Sequence, residues 1–477
     1  AEQHEYFSDR KLEIRTYDDA TCLPPLKYLG PYSNPSYNGG ITDNQGLYIL
    51  AGTSKTFMDS SVEKNGNIIQ KYRMYGAYEF EDCDYIDETV FYGGWCTRQW
   101  GHFLLECICR LYPIAKNPEK YKDIKVVFLQ PVDDYEIDGS YLEILELIGL
   151  KREQVVFLRK PTKFKSVIVA DTCSEAGIFY TREYKFLINH LIQKAMEKPL
   201  KIKTHKKIYL SRKNWVFTDR DIGEDKIESF FNKNGFVSIS PEKYTAVEQI
   251  HLMQNAEHVV CAVSTLPHNL LFAKDGIKAT FINKICLPNL LQFLVDDVKN
   301  LDVTYIDAYR TLYPVHVGKG PFLFCVNKNL INYAKDNNMK MPDVFGPDKE
   351  DFLTYIRLVF SKINHLSEEE FLVLNSLFQN NTQDDFIFYS PKELMFKKYF
   401  HKIMWKLSFG EQKIRYFEKY IKYKNKLNKV NTAVSNGMES SKHMLRDKDE
   451  SLSLSICLET KMNLCLYNYY RYFCCAG

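Results

Sequence analysis

The sequence predicts an α/β protein with two doubly wound units that face a shared cleft, followed by a helical extension. Short apolar runs alternate with helical patterns between residues 85 and 306, which is typical of parallel sheets joined by right-handed crossovers. A short basic segment over 198–207, which contains Pro199, separates two such series. The length of 477 residues exceeds the size at which a single core usually stops growing.

The first series shows its pattern most clearly after residue 85. Apolar residues at 104, 105, 108, 111 and 112 have helical spacing. We expect a turn at Gly93-Gly94. Strands are predicted over 85–92, 125–129, 155–158 and 167–170, and helices over 101–112, 141–148 and 181–197.

The second series repeats this alternation in a more compact form. Its central strand, over 258–263, is a continuous apolar run of the kind that parallel sheets bury on both faces. A helix is predicted to begin directly after it, at Ser264. The other predicted elements are strands over 208–212, 236–239, 279–282 and 303–306, and helices over 224–234, 245–255 and 288–299.

These patterns define the predicted domains. They are a first α/β domain over 1–197, a linker over 198–207, a second α/β domain over 208–340, a basic helical extension over 341–429 and a disordered tail over 430–477. Within the extension, lysines interleave with aromatic residues. Either an amphipathic helix packs on the body with a solvated basic face, or the basic face is attracted to anionic lipid.

Composition limits the class of partner and the compartment. A formal net charge of +3 provides no electrostatic footprint for nucleic acid, so no nucleic-acid partner is expected. The polar start, Ala1-Glu2-Gln3-His4-Glu5, predicts no signal peptide. No window approaches the ~20 apolar residues that cross a bilayer. We therefore expect a cytoplasmic protein, either free or peripheral at the inner membrane face.

The cysteines and acidic motifs do not predict a metal site. The 13 cysteines lack metal-type spacing and are interpreted as free thiols of a reducing compartment. Asp82 and Asp84 form an Asp-x-Asp motif inside a tyrosine-rich, strand-like stretch. Because that motif alone is a weak signal, the sequence requires no metal.

The stretch from Ser264 to Phe272 is the strongest candidate for a ligand site. A helix that starts after a central strand presents unpaired amides to an anion at the carboxyl edge of the sheet. His268 and Asn269 fall in its first turn. Each side chain either contacts the ligand or makes hydrogen bonds within the protein, such as a helix cap. Ser264 and Thr265 either face the ligand or act as N-caps.

Arg212 follows the first strand of the second series, directly after Ser211. A guanidinium at the carboxyl edge of a sheet can clamp an anion with two parallel hydrogen bonds. The alternative is a surface ion pair.

Three polar residues lie four apart in the predicted helix over 101–112. Since helical residues four apart share a face, His102, Glu106 and Arg110 are expected to form one stripe. The Glu–Arg spacing also suits a simple salt bridge. His102 stands at the helix start, where a cleft is expected, and is the best-placed candidate for a general base.

Three segments together resemble family 61 glycosyltransferases, in particular bacterial enzymes of capsule and surface-polysaccharide biosynthesis. The first combines Gly93-Gly94 with the run from Gly101 to Glu106 and with Arg110. The others are Tyr209-Leu210-Ser211-Arg212 with Gly235-Phe236, Ser240-Pro241-Glu242 and Glu248-Gln249-Ile250, and Ser264 to Phe272 with Gly276.

The resemblance implies a GT-B fold of two Rossmann-type domains and inverting transfer from a nucleotide sugar to a glycan or lipid-linked glycan, without metal or cofactor. The second domain would hold the donor through Ser211, Arg212 and residues 264–269. The first would hold the acceptor beside Glu106 and Arg110, with His102 as the base. Glu242 or Glu248 would bond the ribose.

The turn at Val263-Ser264-Thr265-Leu266 departs from the family, whose members carry a His-Gly-x-Gly or Gly-Thr-Leu turn there. Serine in place of glycine narrows the approach to the phosphates. The altered turn leaves an inactive carbohydrate-binding scaffold open as an alternative. Transfer of a sugar-phosphate or phosphoryl group in the same pathway is a second alternative.

Overall fold

The computed structural model describes part of the chain, and all of that part belongs to one compact unit. The predicted extension and tail lie outside it beyond residue 359. The described residues are 6–29, 35–49, 51, 58–62, 68–72, 78–130, 137–213, 221–286, 289–311, 320–343, 346–347, 350–352, 354–355 and 358–359.

A mixed sheet organises the first half of the chain. Its order is β3-β2-β9-β6-β7-β8, and β1 pairs with β9. The strands β9, β6, β7 and β8 are parallel, whereas β1, β2 and β3 add antiparallel pairs. The strands of this half are β1 Ile14–Asp18, β2 Thr21–Leu29, β3 Pro35–Thr42, β4 Met58–Val62, β5 Ile68–Tyr72, β6 Asp84–Trp95, β7 Lys125–Leu129, β8 Val155–Leu158, β9 Thr162–Ala170, β10 Ser174–Glu175 and β11 Phe179–Tyr180.

The helices of the first half pack on this sheet. The predicted helices over 141–148 and 181–197 are confirmed within one or two residues, since amphipathic periodicity and Gly149 mark their limits. The helices are α1 Trp100–His102, α2 Tyr112–Lys116, α3 Pro118–Tyr121, α4 Ser140–Ile148 and α5 Arg182–Met196, with a π-helix over Phe103–Cys107 and a 3₁₀ turn over Arg152–Gln154.

The second sheet is fully parallel, in the order β14-β12-β15-β16-β17. Each predicted strand is confirmed within two residues, and so are the predicted helices over 224–234, 245–255 and 288–299. Its elements are β12 Lys207–Leu210, β14 Val237–Ile239, β15 His258–Ala262, β16 Lys278–Asn283 and β17 Asp302–Asp307, with α6 Glu224–Lys233, α7 Ala246–Asn255, α8 Leu290–Val298 and α9 Lys328–Asp336. A small parallel pair, β13 Asp221–Ile222 with β18 Phe322–Leu323, lies outside it, and 3₁₀ helices cover Pro241–Lys243 and Leu266–Phe272.

The strand order of the second sheet reverses beside β12. The chain passes from β12 to β14 on one side and then returns to β15 on the other. Such a reversal is a topological switch point, where loops at the carboxyl ends diverge and leave a crevice for ligands. Arg212 and Ser264 follow the two strands that flank this point.

One hydrophobic cluster joins the two sheets. It contains Phe128 of the first sheet, Leu187 of α5, Ile250 of α7 and Phe281 of the second sheet, all of them fully buried. Helices α4 and α5 therefore pack against α7 through a continuous core. The domain boundaries stay a prediction, but the two sheets share apolar packing.

The structure corrects two predictions in the first half. Gly93-Gly94 is no turn: β6 continues through it to Trp95, with a bulge where Gly94 adopts a φ of +89°. Gly93 lies so close to the Phe128 ring that a Cβ there would approach one ring carbon to 2.5 Å. The predicted helix over 101–112 is broken into α1, the π-helix and a turn before α2.

The described region contains neither a membrane-spanning helix nor a disulfide. No helix within it is long and apolar enough to cross a bilayer. The cysteines within it are free, as the sequence predicts, and all except Cys83 and Cys286 are buried.

Buried His258 makes the fold sensitive to acid. Its Nε2 lies 2.9 Å from Thr280 Oγ1, which in turn lies 3.0 Å from the Tyr333 hydroxyl. Burial, together with Lys278 and Lys207, lowers the pKa of His258 from 6.5 to about 4. The unfolded chain therefore binds a proton at a pH where the folded chain does not, and stability is lost as pH falls from 6.5 towards 4.

We predict that His258→Gln removes roughly 3 kcal/mol of this pH dependence, because an amide keeps a hydrogen bond but does not titrate. Melting temperatures of both proteins between pH 4.5 and 7.5 would measure it. The variant should lose less stability in acid than wild type. Parallel curves would show that His258 is not the titrating group.

Candidate functional site

The carboxyl ends of the two sheets meet where α1 packs on the 3₁₀ helix after β15. Trp100 Nε1 donates a 2.8 Å hydrogen bond to Asn269 Oδ1. Gly101 lies against His268, so that a Cβ on Gly101 would stand 2.5 Å from His268 Nδ1 and 3.2 Å from a Thr265 methyl. Residues predicted from two separate motifs therefore form one site, and glycine is required for their approach.

His102 and Glu106 form a hydrogen-bonded pair in this site. Nδ1 of His102 lies 2.8 Å from Glu106 Oε2, and the two side chains are 18% and 9% exposed. Burial lowers the pKa of His102, but the charge and hydrogen bond of Glu106 outweigh it and raise that pKa above 6.5. Since a carboxylate only accepts, Nδ1 is the donor and Nε2 keeps the lone pair.

The π-helix sets the geometry of this pair. The Ile108 amide reaches back five residues to the Phe103 carbonyl, at 3.3 Å, which widens the turn. Tyr184 Oη, on α5, donates a 3.1 Å hydrogen bond to the Leu104 carbonyl. The wide turn therefore carries His102 and Glu106 on a segment whose neighbouring side chains are buried.

The prediction that Arg110 shares a stripe with this pair is wrong. The π-helix and the following turn rotate it towards the first sheet, where its guanidinium donates to the Ala170 carbonyl and lies 5.7 Å from the Tyr92 ring centroid. Arg110 is 5% exposed, and burial lowers its pKa. It connects β6 with β9 rather than pairing with Glu106.

His268 is buried without a hydrogen-bond partner in the described region. It is 1% exposed, and neither ring nitrogen has a partner there. Burial, reinforced by the nearby His102, lowers its pKa to about 3, so the ring is neutral. A neutral imidazole offers one donor and one acceptor to a ligand group.

The helix predicted after Ser264 is a 3₁₀ helix of seven residues, and its first amides are not all unpaired. The Leu266 amide donates to Ser264 Oγ at 3.1 Å, and the His268 amide donates to the Thr265 carbonyl at 3.2 Å. Ser264 Oγ also donates to the Ala262 carbonyl at 3.2 Å. Thr265 is the N-cap, but its side chain makes no capping bond.

Arg212 lies at the switch point in a buried ion pair rather than a surface one. Its Nη1 is 2.9 Å from Asp221 Oδ2, with the side chains 15% and 4% exposed. Ser211 faces α6 instead, where its hydroxyl donates to Glu228 Oε2 at 2.9 Å.

The two glutamates predicted near the ribose differ in their surroundings. Glu242 is exposed in the turn that follows β14. Glu248 forms a capping box with Thr245, whose amide donates to the Glu248 carboxylate at 2.9 Å. The Glu248 carboxylate therefore caps the start of α7. Contact with the ribose stays a prediction for either residue.

Sequence reasoning missed three charged residues around Arg212. Lys284 is 3% exposed in side-chain area and follows β16 just as Arg212 follows β12, so its position after an apolar strand was an available signal. Asp221 and Glu224 are 9% and 7% exposed. No spacing rule in the sequence brings these carboxylates to Arg212.

The described residues contain no group of three or more His, Cys, Asp or Glu side chains that could hold a metal ion.

Residues 100–280 match the sequence model of a family described as Glycosyltransferase 61. The matched span contains both halves of the site, from Trp100 to Asn269. Over this span, which is less than half of the chain, the sequence is similar to glycosyltransferases of family 61. No curated protein matches the chain.

We predict that Gly101→Ala destabilises the protein by about 1–3 kcal/mol, because the new methyl group overpacks against His268. Urea unfolding would measure the loss. In a His268→Ala background the imidazole is gone, and the same change should cost much less. Equal costs in both backgrounds would contradict the packing derived for Gly101.

Proposed function

We propose that this chain is an inverting glycosyltransferase of bacterial surface-polysaccharide biosynthesis, which moves a sugar from a nucleotide-sugar donor to a glycan or lipid-linked glycan. The meeting of the His102–Glu106 pair with the turn at the switch point of the second sheet carries the proposal. A base beside a crevice suited to an anionic ligand is what transfer from a nucleotide sugar requires.

His102 acts as the base in one direct displacement. The acceptor hydroxyl gives its proton to Nε2 of His102 while its oxygen attacks the anomeric carbon. The bond from that carbon to the donor phosphate breaks on the opposite face, so the configuration inverts. Glu106 stabilises the imidazolium that forms, through the bond it already accepts from Nδ1.

The donor lies on the second sheet in a GT-B-like arrangement, with the acceptor on the side of the first sheet. Arg212 stabilises the departing phosphates, and His268 and Asn269 line the path between donor and base. We propose that the reaction needs neither metal nor cofactor, and that the protein works in the cytoplasm, free or peripheral at the inner membrane face.

The pH dependence of transfer tests His102. Since the base must be unprotonated, the rate should rise with pH through the pKa of His102, above 6.5. Glu106→Gln removes the charge that raises this pKa, so the rising limb should move to lower pH while the maximal rate falls. His102→Gln should lower kcat by about 10²- to 10⁴-fold with little change in donor affinity.

His190→Gln is the control, because His190 is a partly buried histidine of α5 outside the site. It should keep the wild-type profile. A His102→Gln enzyme with the wild-type rate would show that His102 is not the base. A Glu106→Gln enzyme whose rate rises at the same pH as that of wild type would show that Glu106 does not set the pKa of the base.

The donor class is tested by melting the full chain with UDP, GDP, CDP, CMP and their common sugars, with and without EDTA. A nucleotide that binds only the folded state raises the melting temperature by mass action. We expect a rise with one nucleotide that EDTA does not change. Loss of the rise in EDTA would favour a metal-assisted sugar-phosphate or phosphoryl transferase, and no rise at all would favour the scaffold.

A further inference from the structure

A basic surface lies between α5 and β12, in the segment that the sequence predicts as a linker. Five lysines fall within ten residues of the chain there, and all of them are exposed: Lys198, Lys201, Lys203, Lys206 and Lys207. The proposed transfer mechanism uses none of them. Their clustering on the surface therefore needs a separate explanation.

The backbone of this segment is fixed at both of its ends. His251 Nε2 donates a 3.2 Å hydrogen bond to the Lys198 carbonyl. Two backbone amides at the start of β15 donate to the Lys206 carbonyl, at 2.8 and 3.0 Å. Between these anchors Ile202 packs against the main hydrophobic core, whereas the lysines on either side of it are exposed. The segment therefore presents its charges to solvent from an ordered backbone.

The positive charge of the segment is only partly neutralised. Glu197 lies 2.8 Å from Lys194 Nζ, and Glu257 lies 2.7 Å from Lys206 Nζ, so both neighbouring carboxylates are already paired. Three lysines, which we call the unpaired lysines, form no ion pair within the part of the chain that the structure describes: Lys198, Lys201 and Lys203. The surface therefore keeps a surplus of positive charge.

Positive charge continues along the amino-terminal edge of the second sheet. Lys207 and Lys278 are the first residues of β12 and β16. Burial lowers the pKa of His258, at the start of β15 between them, and both lysines lower it further. The ligand crevice lies at the carboxyl ends of these same strands. The basic edge is therefore separate from the candidate functional site.

Two exposed apolar side chains accompany the charges. Met196, the last residue of α5, is 42% exposed, and Leu200 is 50% exposed. An anionic membrane attracts basic side chains to its surface and accepts neighbouring apolar side chains below its headgroups. A nucleic-acid backbone would satisfy the charges but not the apolar groups. The combination therefore favours a lipid surface.

We infer that residues 196–207 form a surface that binds anionic phospholipid membranes. The inference rests on the proposed function for the location at the inner membrane face, but not for the reaction. An ordered backbone loses little conformational freedom when its lysines bind, which favours attachment. Because the segment lies at the amino-terminal edge of the second sheet, a membrane bound there leaves the crevice at the carboxyl edge free for its ligand.

The experiment is sedimentation of the full chain with vesicles of equal parts phosphatidylglycerol and phosphatidylcholine, and with vesicles of phosphatidylcholine alone. Wild type should bind the anionic vesicles, and salt should weaken that binding because it screens the lysines. A variant that combines Lys198→Gln, Lys201→Gln and Lys203→Gln should bind about 100-fold more weakly, since each lysine near an anionic surface contributes about fivefold. Leu200→Ser should weaken binding about two- to tenfold.

The matched control combines Lys160→Gln, Lys163→Gln and Lys165→Gln. These lysines have the same spacing in the sequence as the unpaired lysines. Each of them pairs with an aspartate, at 2.6, 3.7 and 3.1 Å. The control removes the same formal charge and should sediment as wild type does. Melting temperatures of both triple variants should match that of wild type, because the side chains they change lie on the surface.

The outcomes separate this inference from the proposed function. Equal binding by wild type and the variant of the unpaired lysines overturns the inference, because the lysine-rich extension is present in both proteins and would then carry the binding. Equal weakening in the two triple variants, or a wild type that does not bind anionic vesicles, also overturns it. Weaker binding in the variant of the unpaired lysines only, without sugar transfer by wild type to a soluble acceptor, supports the membrane surface and contradicts the transferase.

Discussion

The close approach of Gly101 to His268 is the contact on which the arrangement of the site depends. A side chain at residue 101 would stand 2.5 Å from an imidazole nitrogen, and close-packed interiors accommodate such an overlap only by moving backbone. Trp100 secures the same contact by donating to Asn269. His102, which follows Gly101, and the turn that ends β15 are therefore held close by this packing and by the Trp100–Asn269 hydrogen bond.

Burial lowers the pKa of both His102 and His268, but their neighbours give the two rings opposite properties. His102 has a carboxylate partner that raises its pKa, whereas His268 has no such partner in the described region, and its pKa falls to about 3. One ring is thus suited to take a proton near neutral pH, and the other stays a neutral hydrogen-bonding group. Environments that shift the pKa values of two adjacent titratable groups in opposite directions are typical of sites whose residues have distinct acid–base roles.

The second sheet could be predicted almost completely from the sequence, because buried parallel strands appear as continuous apolar runs between helical patterns. The helix over 101–112 could not, because apolar spacing does not distinguish an α-helix from a π-turn followed by a break. That break carries Arg110 away from Glu106 to the Ala170 carbonyl. Asp221 and Glu224 were missed for another reason: only tertiary structure brings them to Arg212.

Ser264 stands where the resemblance to family 61 implies a glycine, and its hydroxyl changes the hydrogen bonds of the turn after β15. The Ser264 hydroxyl accepts the Leu266 amide and donates to the Ala262 carbonyl, so part of the turn's hydrogen-bonding capacity is used internally. A seven-residue 3₁₀ helix also lacks the aligned dipoles of a long α-helix. Under the proposed function, a side-chain cation would therefore have to supply part of the attraction that backbone amides provide in a glycine-rich turn. Arg212, which follows the neighbouring strand β12 at the switch point, is the residue that we propose for this role.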